Sequence, residues 1–113
     1  MIEGFHGVPP YDKPVARTRE VVEICRKVWA REKVEHHGLY EIPLPPEEQG
    51  TGLGKPLKLI NHPVRADIPV WIAALGERNV AMTAEIAHGW LPHVIIPEKV
   101  RDVFGGRSTR AWP

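Results

Sequence analysis

The 113 residues are 42% hydrophobic and 26% charged with a net charge of +1. That balance excludes wholesale disorder and gives no global field to attract nucleic acid or an anionic membrane surface. A lone cysteine, Cys25, excludes an intramolecular disulfide and fits a reducing cytoplasm. No apolar run approaches the roughly 20 residues of a membrane span, and Met1–Pro10 lacks a basic-then-apolar leader pattern. A cytoplasmic protein with neither nucleic acid nor membrane as partner is expected.

Residues 1–13 are turn-rich, with Gly4, Gly7 and Pro9-Pro10, and read as a loop. A helix over 14–32 is predicted, with Asp12 as a candidate cap and Pro14 in the first turn, where its missing N–H costs nothing. Its apolar stripe is Val21, Ile24, Cys25 and Val28, widened by Val22 and Trp29. Residues 33–67 hold Pro43, Pro45, Pro46, Gly50, Gly52, Gly54 and Pro56, which forbid a long helix or a central strand. This stretch reads as an insertion loop with short extended pieces near Leu39–Ile42 and Leu57–Ile60.

Regularity returns over 68–104. Ile68–Leu75 is a near-continuous apolar run of the kind found in strands buried on both faces of a parallel sheet. Gly76 breaks it, and Glu77–Ala87 reads as a helix with Val80, Ala84 and Ala87 on one face. Gly89 ends that helix, Trp90–Ile96 is a second buried-type strand, and Pro97 starts another helix with Val100, Val103 and Phe104 inward. Strand–helix–strand alternation predicts that the two strands are parallel neighbours with a right-handed crossover between them. Residues 105–113 form a basic tail without pattern. The fold class is α/β.

The turn Ala73-Ala74-Leu75-Gly76 leads a strand into a helix start, where backbone N–H groups and the helix dipole suit an anion. A tight turn with no ligand is the competing reading, and Glu77 opposes an anion. Gly50–Lys55 looks like a nucleotide loop but places Gln49 where glycine is needed and Pro56 after the lysine; a surface loop is the better reading. The six histidines lack metal-ligand spacing, so no metal site is expected. His93, near the end of the second strand, could face the Gly76 turn. His36-His37 reads as a solvated turn, Cys25 as an inert thiol on an apolar stripe, and Trp29, Trp71, Trp90 and Trp112 as mostly core.

Glu3–Gly7, then Asp12–Pro14 and Arg17–Glu20, resemble the loop and helix after the fourth barrel strand of luciferase-like monooxygenases. Gly50–Leu59 resembles the insertion segment of that family. Ile68–Gly76, Asn79-Val80, Ala84–Ala87 and Gly89–Pro92 resemble its fifth strand, helix and sixth strand, most closely in the branch that uses the deazaflavin coenzyme F-420. The resemblance runs from about Ile2 to Phe104. It implies a partial (β/α)8 barrel, with the other strands and the acid–base residues outside these residues. It implies hydride transfer between F-420, or alternatively FMN, and a small organic substrate. Cofactor contacts carry over to Ala74, Leu75 and Gly76 after the fifth strand and to Pro92 and His93 at the sixth; no catalytic residue carries over. The resemblance also sets His88 where relatives usually carry aspartate.

Two functional expectations follow. One is an oxidoreductase segment that holds part of the phosphate subsite and does not turn over alone. The other is a non-catalytic barrel remnant acting as an oligomerisation or interaction module. Two parallel strands leave open edges, so self-association is expected under either.

Overall fold

The computed structural model describes residues 2–7 and 9–102. Two helices and two small two-stranded sheets carry the architecture: α1 (Pro14–Trp29), β1 (His36–His37), β2 (Glu41–Ile42), β3 (Trp71–Ala73), α2 (Glu77–Ile86) and β4 (Gly89–Leu91). β1 and β2 pair antiparallel, and β3 and β4 pair parallel in the register Trp71↔Gly89, Ile72↔Trp90, Ala73↔Leu91. The parallel neighbours and the helix between them are as the alternation predicts. Val103, Phe104, Trp112 and the tail lie outside the described residues.

The leading segment, expected to be loop, holds a π-helical turn over Ile2–His6 that Gly7 ends at φ 63°. Pro14 opens α1, but Asp12 does not cap it. Lys13 takes the cap position at φ 47°, and the Asp12 carboxylate accepts from Arg17 instead, at 2.6 Å from Nη2. That guanidinium holds the Asp12 carboxyl below its ordinary range. The helix stops at Trp29, short of the expected end, because Arg31 turns left-handed at φ 57°.

α1 presents two apolar faces where the sequence suggests one. Val15 and Val22 meet α2 and the sheet, with Arg19 paired to Glu85 and Arg26 donating to the Ile86 carbonyl along the same contact. Ile24 and Val28 face the 53–61 segment instead. Val21 falls between the two and is exposed.

The core is small: Val22, Ile72, Ala74, Val80 and Met82, flanked by Val15, Val70, Ile86, Ala87 and Trp90. Thr83, fully buried, joins it by donating its hydroxyl to the Asn79 carbonyl one turn back, at 2.7 Å. The expectation of strands buried on both faces is corrected. Ile72 and Ala74 point into the core while Trp71 is 60% and Leu75 64% exposed, since among the described residues the helices cover one face only. Trp71 is therefore not a core residue. β4 is likewise shorter than its apolar run, and Val94, Ile95 and Ile96 lie exposed beyond it.

The insertion is tied down at named points. The Val34 N–H donates to the Leu57 carbonyl at 2.9 Å, and Leu57–Ile60 forms no strand. Gly50 and Gly54 lie against the Leu44–Pro45 backbone, where a Cβ at Gly50 would come within 2.6 Å of the Pro45 oxygen. Close chain approach, not a nucleotide, explains those glycines. His36 is not in a solvated turn: it is buried, in β1, against Glu20, while His37 is exposed.

Candidate functional site

An open cleft of about 840 Å³ lies at the C-terminal ends of β3 and β4. That edge of a parallel pair is where α/β folds place ligands. Its lining draws on three parts of the chain: Tyr11, Pro14 and Val15 from the start of α1, 73–79 from the β3–α2 turn, and Leu91, Pro92 and His93 from β4 and its end. All five expected site residues, Ala74, Leu75, Gly76, Pro92 and His93, line this one cleft.

The turn is held from below. The Trp90 indole Nε1–H donates to the Ala74 carbonyl at 2.8 Å, and Ala74 itself is buried. The end of β3 is thus pinned to β4 one residue before Leu75. At the base of the strands, His88 takes both sides of Val70: its N–H donates to the Val70 carbonyl at 2.8 Å, and its Nδ1 accepts the Val70 N–H at 3.1 Å. Asp67 lies 3.6 Å from the other ring nitrogen.

Gly76 caps α2 at φ −69°, ψ 144°, extended backbone that any residue adopts. A Cβ built there meets nothing within 4 Å. Neither conformation nor crowding therefore requires glycine, and the tight-turn explanation loses its physical basis. What the missing side chain provides is access from the cleft to the first turn of α2. The first bond of that helix runs from the Val80 N–H to the Gly76 carbonyl, so the N–H groups of the opening turn have no acceptor within the helix.

The sequence reading missed Arg78 and Asn79 as cleft residues. Both follow the turn directly, and the signal was the arginine in a first helical turn, where a cation opposes the dipole. Asn79 buries its side-chain oxygen with no partner among the described residues. A second concavity, of about 910 Å³, lies between Ile24 and Val28 of α1 and the 53–61 segment. Among the described residues no three His, Cys, Asp or Glu side chains converge as a metal site, and no helix is long and apolar enough to cross a membrane.

A Mycobacterium tuberculosis protein, provisionally named as a coenzyme F420-dependent oxidoreductase, is 53% identical over an alignment of 94 residues that covers 81% of this chain. The chain spans 26% of that relative's length. No solved structure gave a significant match. Residues 1–105 match the family described as luciferase-like monooxygenase, and the chain belongs to that family.

Proposed function

We propose that this chain supplies the phosphate end of the cofactor site in an oxidoreductase that moves hydride between coenzyme F420 and a small organic substrate, with FMN as the alternative cofactor. The observation that carries the reading is Gly76. A glycine that its own backbone does not need opens the first turn of a helix to a cleft shared with His93. The name of the relative supports F420 over FMN. The whole enzyme is read as a (β/α)8 barrel, of which β3–α2–β4 is one unit; the parallel pairing supports this. The lone cysteine supports a cytoplasmic location.

The bound cofactor would supply the hydride-carrying ring. The chain's own part is to bind and orient. The N–H groups at Leu75, Gly76 and the opening turn of α2 would hold the phosphate oxygens, and the His93 imidazole would donate from the opposite wall. Trp90 would keep the turn in place through the Ala74 carbonyl. Fixing one end of a cofactor does not hold its ring in attack geometry. Binding without turnover is thus expected of these residues alone.

Fluorescence titration with F420 and FMN, with the Gly76→Val variant alongside, tests the reading. The parent should bind and Gly76→Val should not; equal behaviour of the two would refute the site.

A second reading has its own observation. Trp71, Leu75, Leu91, Val94 and Ile96 leave an apolar sheet face and strand end exposed, which suits association with further protein. Light scattering tests it: a monomeric chain at high concentration counts against an oligomerisation module.

A further inference from the structure

We propose that His88 is a proton-operated latch at the base of the β3–β4 pair: its neutral ring holds the Val70 N–H, and its protonated ring releases Val70 and turns to Asp67. A backbone N–H can only donate, so the Val70 N–H, 3.1 Å from the His88 Nδ1, needs a lone pair there. Nδ1 offers one only in the neutral ring whose proton sits on Nε2. That proton is on the side of Asp67, whose carboxylate lies 3.6 Å from Nε2, just too far for a hydrogen bond. Protonation puts a hydrogen on both ring nitrogens. Nδ1–H then meets the Val70 N–H donor to donor, while the new charge draws Nε2 toward the carboxylate. Histidine is the side chain whose charge changes between about pH 5 and 8.

The latch sits where the strands begin. The Val70 carbonyl accepts the N–H groups of His88 at 2.8 Å and Gly89 at 3.3 Å. With the ring bond, three bonds hold the residue before β3 to the residues that open β4. Two of them are backbone bonds that no proton alters in this range; the ring bond is the third. The His88 side chain is 41% exposed, so a proton reaches it without any opening of the fold. The segment before β3 carries Arg65 and Asp67, and among the described residues Asp67 is the only carboxylate within ion-pair reach of the ring. On the helices packed beside it the charged groups are occupied: Glu85 of α2 with Arg19 of α1, and Arg26 of α1 with the Ile86 carbonyl. β4 itself, Gly89–Leu91, carries no charge.

The test follows the whole chain by NMR and amide exchange from about pH 8 to about pH 5, with exchange corrected for its intrinsic pH dependence, beside His88→Asn and His88→Ala. Asparagine puts Oδ1 where histidine holds Nδ1, and accepts throughout that range. In the parent, the ring nitrogen resonances should report the Nε2–H tautomer at the alkaline end. Val70 protection should fall about fivefold at the acid end, the scale of one hydrogen bond. Overhauser contacts of the ring protons should pass from Val70 to Asp67. His88→Asn should keep the Val70 protection throughout, and His88→Ala should lack it throughout. The Val80 amide, bonded to the Gly76 carbonyl, should stay protected in every case, because α2 does not depend on the ring. Unchanged Val70 protection in the parent, an Nδ1–H ring at the alkaline end, or ring contacts that stay with Val70 would overturn the latch. So would a loss in His88→Asn equal to the parent's, or a loss shared by Val80, which would mark general unfolding. Should His88→Ala not fold, the parent against His88→Asn decides alone.

Discussion

Glu20 of α1 and His36 of β1 meet through Oε2 and Nε2 at 2.8 Å, and the same carboxylate accepts the N–H groups of Leu39 at 2.9 Å and Tyr40 at 3.0 Å. One side chain thus fastens the start of the insertion to α1. A Cβ at Gly38 would come within 2.6 Å of its Oε1, so the chain passes close over the carboxylate, which any side chain at that position would have to displace. The Arg17 guanidinium, over the Tyr40 ring at 5.4 Å, adds a second contact between the same segments.

The first prediction is a pH dependence of this clamp. Hydrogen bonding from Leu39 is the main cause holding the Glu20 carboxyl below its ordinary value of 4.5, with His36 and Tyr40 adding to it. A depressed carboxyl stabilises the fold in full above its unfolded value and loses that contribution as pH falls through the folded one. Amide exchange at Leu39 and Tyr40, corrected for its intrinsic pH dependence, should be protected at neutral pH and lose protection below the ordinary value. Glu20→Ala should lose it at every pH and lower the melting temperature by a few degrees. Protection in that variant equal to the parent would show that the clamp does not hold the segment.

A second prediction concerns the core. Met82 is 2% exposed and sits with Val22, Ile72, Ala74 and Val80. Met82→Ala should cost about 2–5 kcal/mol in denaturant unfolding, the range for emptying a buried large side chain. Thr83→Val should cost less, about 1 kcal/mol. It loses one hydroxyl bond, while the Asn79 carbonyl keeps its helical N–H partner and leaves no orphaned group. A reversed order would mean that the hydroxyl, not the packing, secures α2.

How much was legible follows from what each signal depends on. The β3–turn–α2–β4 order could be read because apolar runs and the Gly76 break are local, and the shared cleft followed from two strand ends lying side by side. The strand lengths could not be read. Trp71, Leu75 and Val94–Ile96 are apolar in sequence, yet burial depends on what covers a face, which the run itself does not record. α1 departs from its single predicted stripe for a related reason: Val22 and Ile24 serve different neighbours, so one stripe averages two. His36 reads as solvated in the sequence because its partner, Glu20, lies far away along the chain.

The third prediction separates support from contact at the site. Trp90→Phe keeps an aromatic ring but removes the N–H that Ala74 accepts. Leaving that buried carbonyl unpaired should cost about 1–3 kcal/mol. Because the bond pins the end of β3, the loss should also weaken F420 or FMN binding even though the indole N–H touches no ligand. A variant of lowered stability with unchanged affinity would show that the turn keeps its shape without the indole.

The last prediction sets stability against binding at one position. Gly76 has a backbone that aspartate can adopt and open space for its side chain. Aspartate is among the best helix caps: its carboxylate accepts from the second or third N–H of the helix and meets the positive end of the dipole. Gly76→Asp should therefore raise stability by about 0.5–1 kcal/mol in the absence of ligand. The same carboxylate would then occupy, as a tethered anion, the N–H groups assigned to the phosphate, and would repel a second anion. Thermal melts should show a higher midpoint without ligand and no further rise with F420, FMN or phosphate. A variant that is both more stable and still stabilised by these ligands would place the anion elsewhere than at the start of α2.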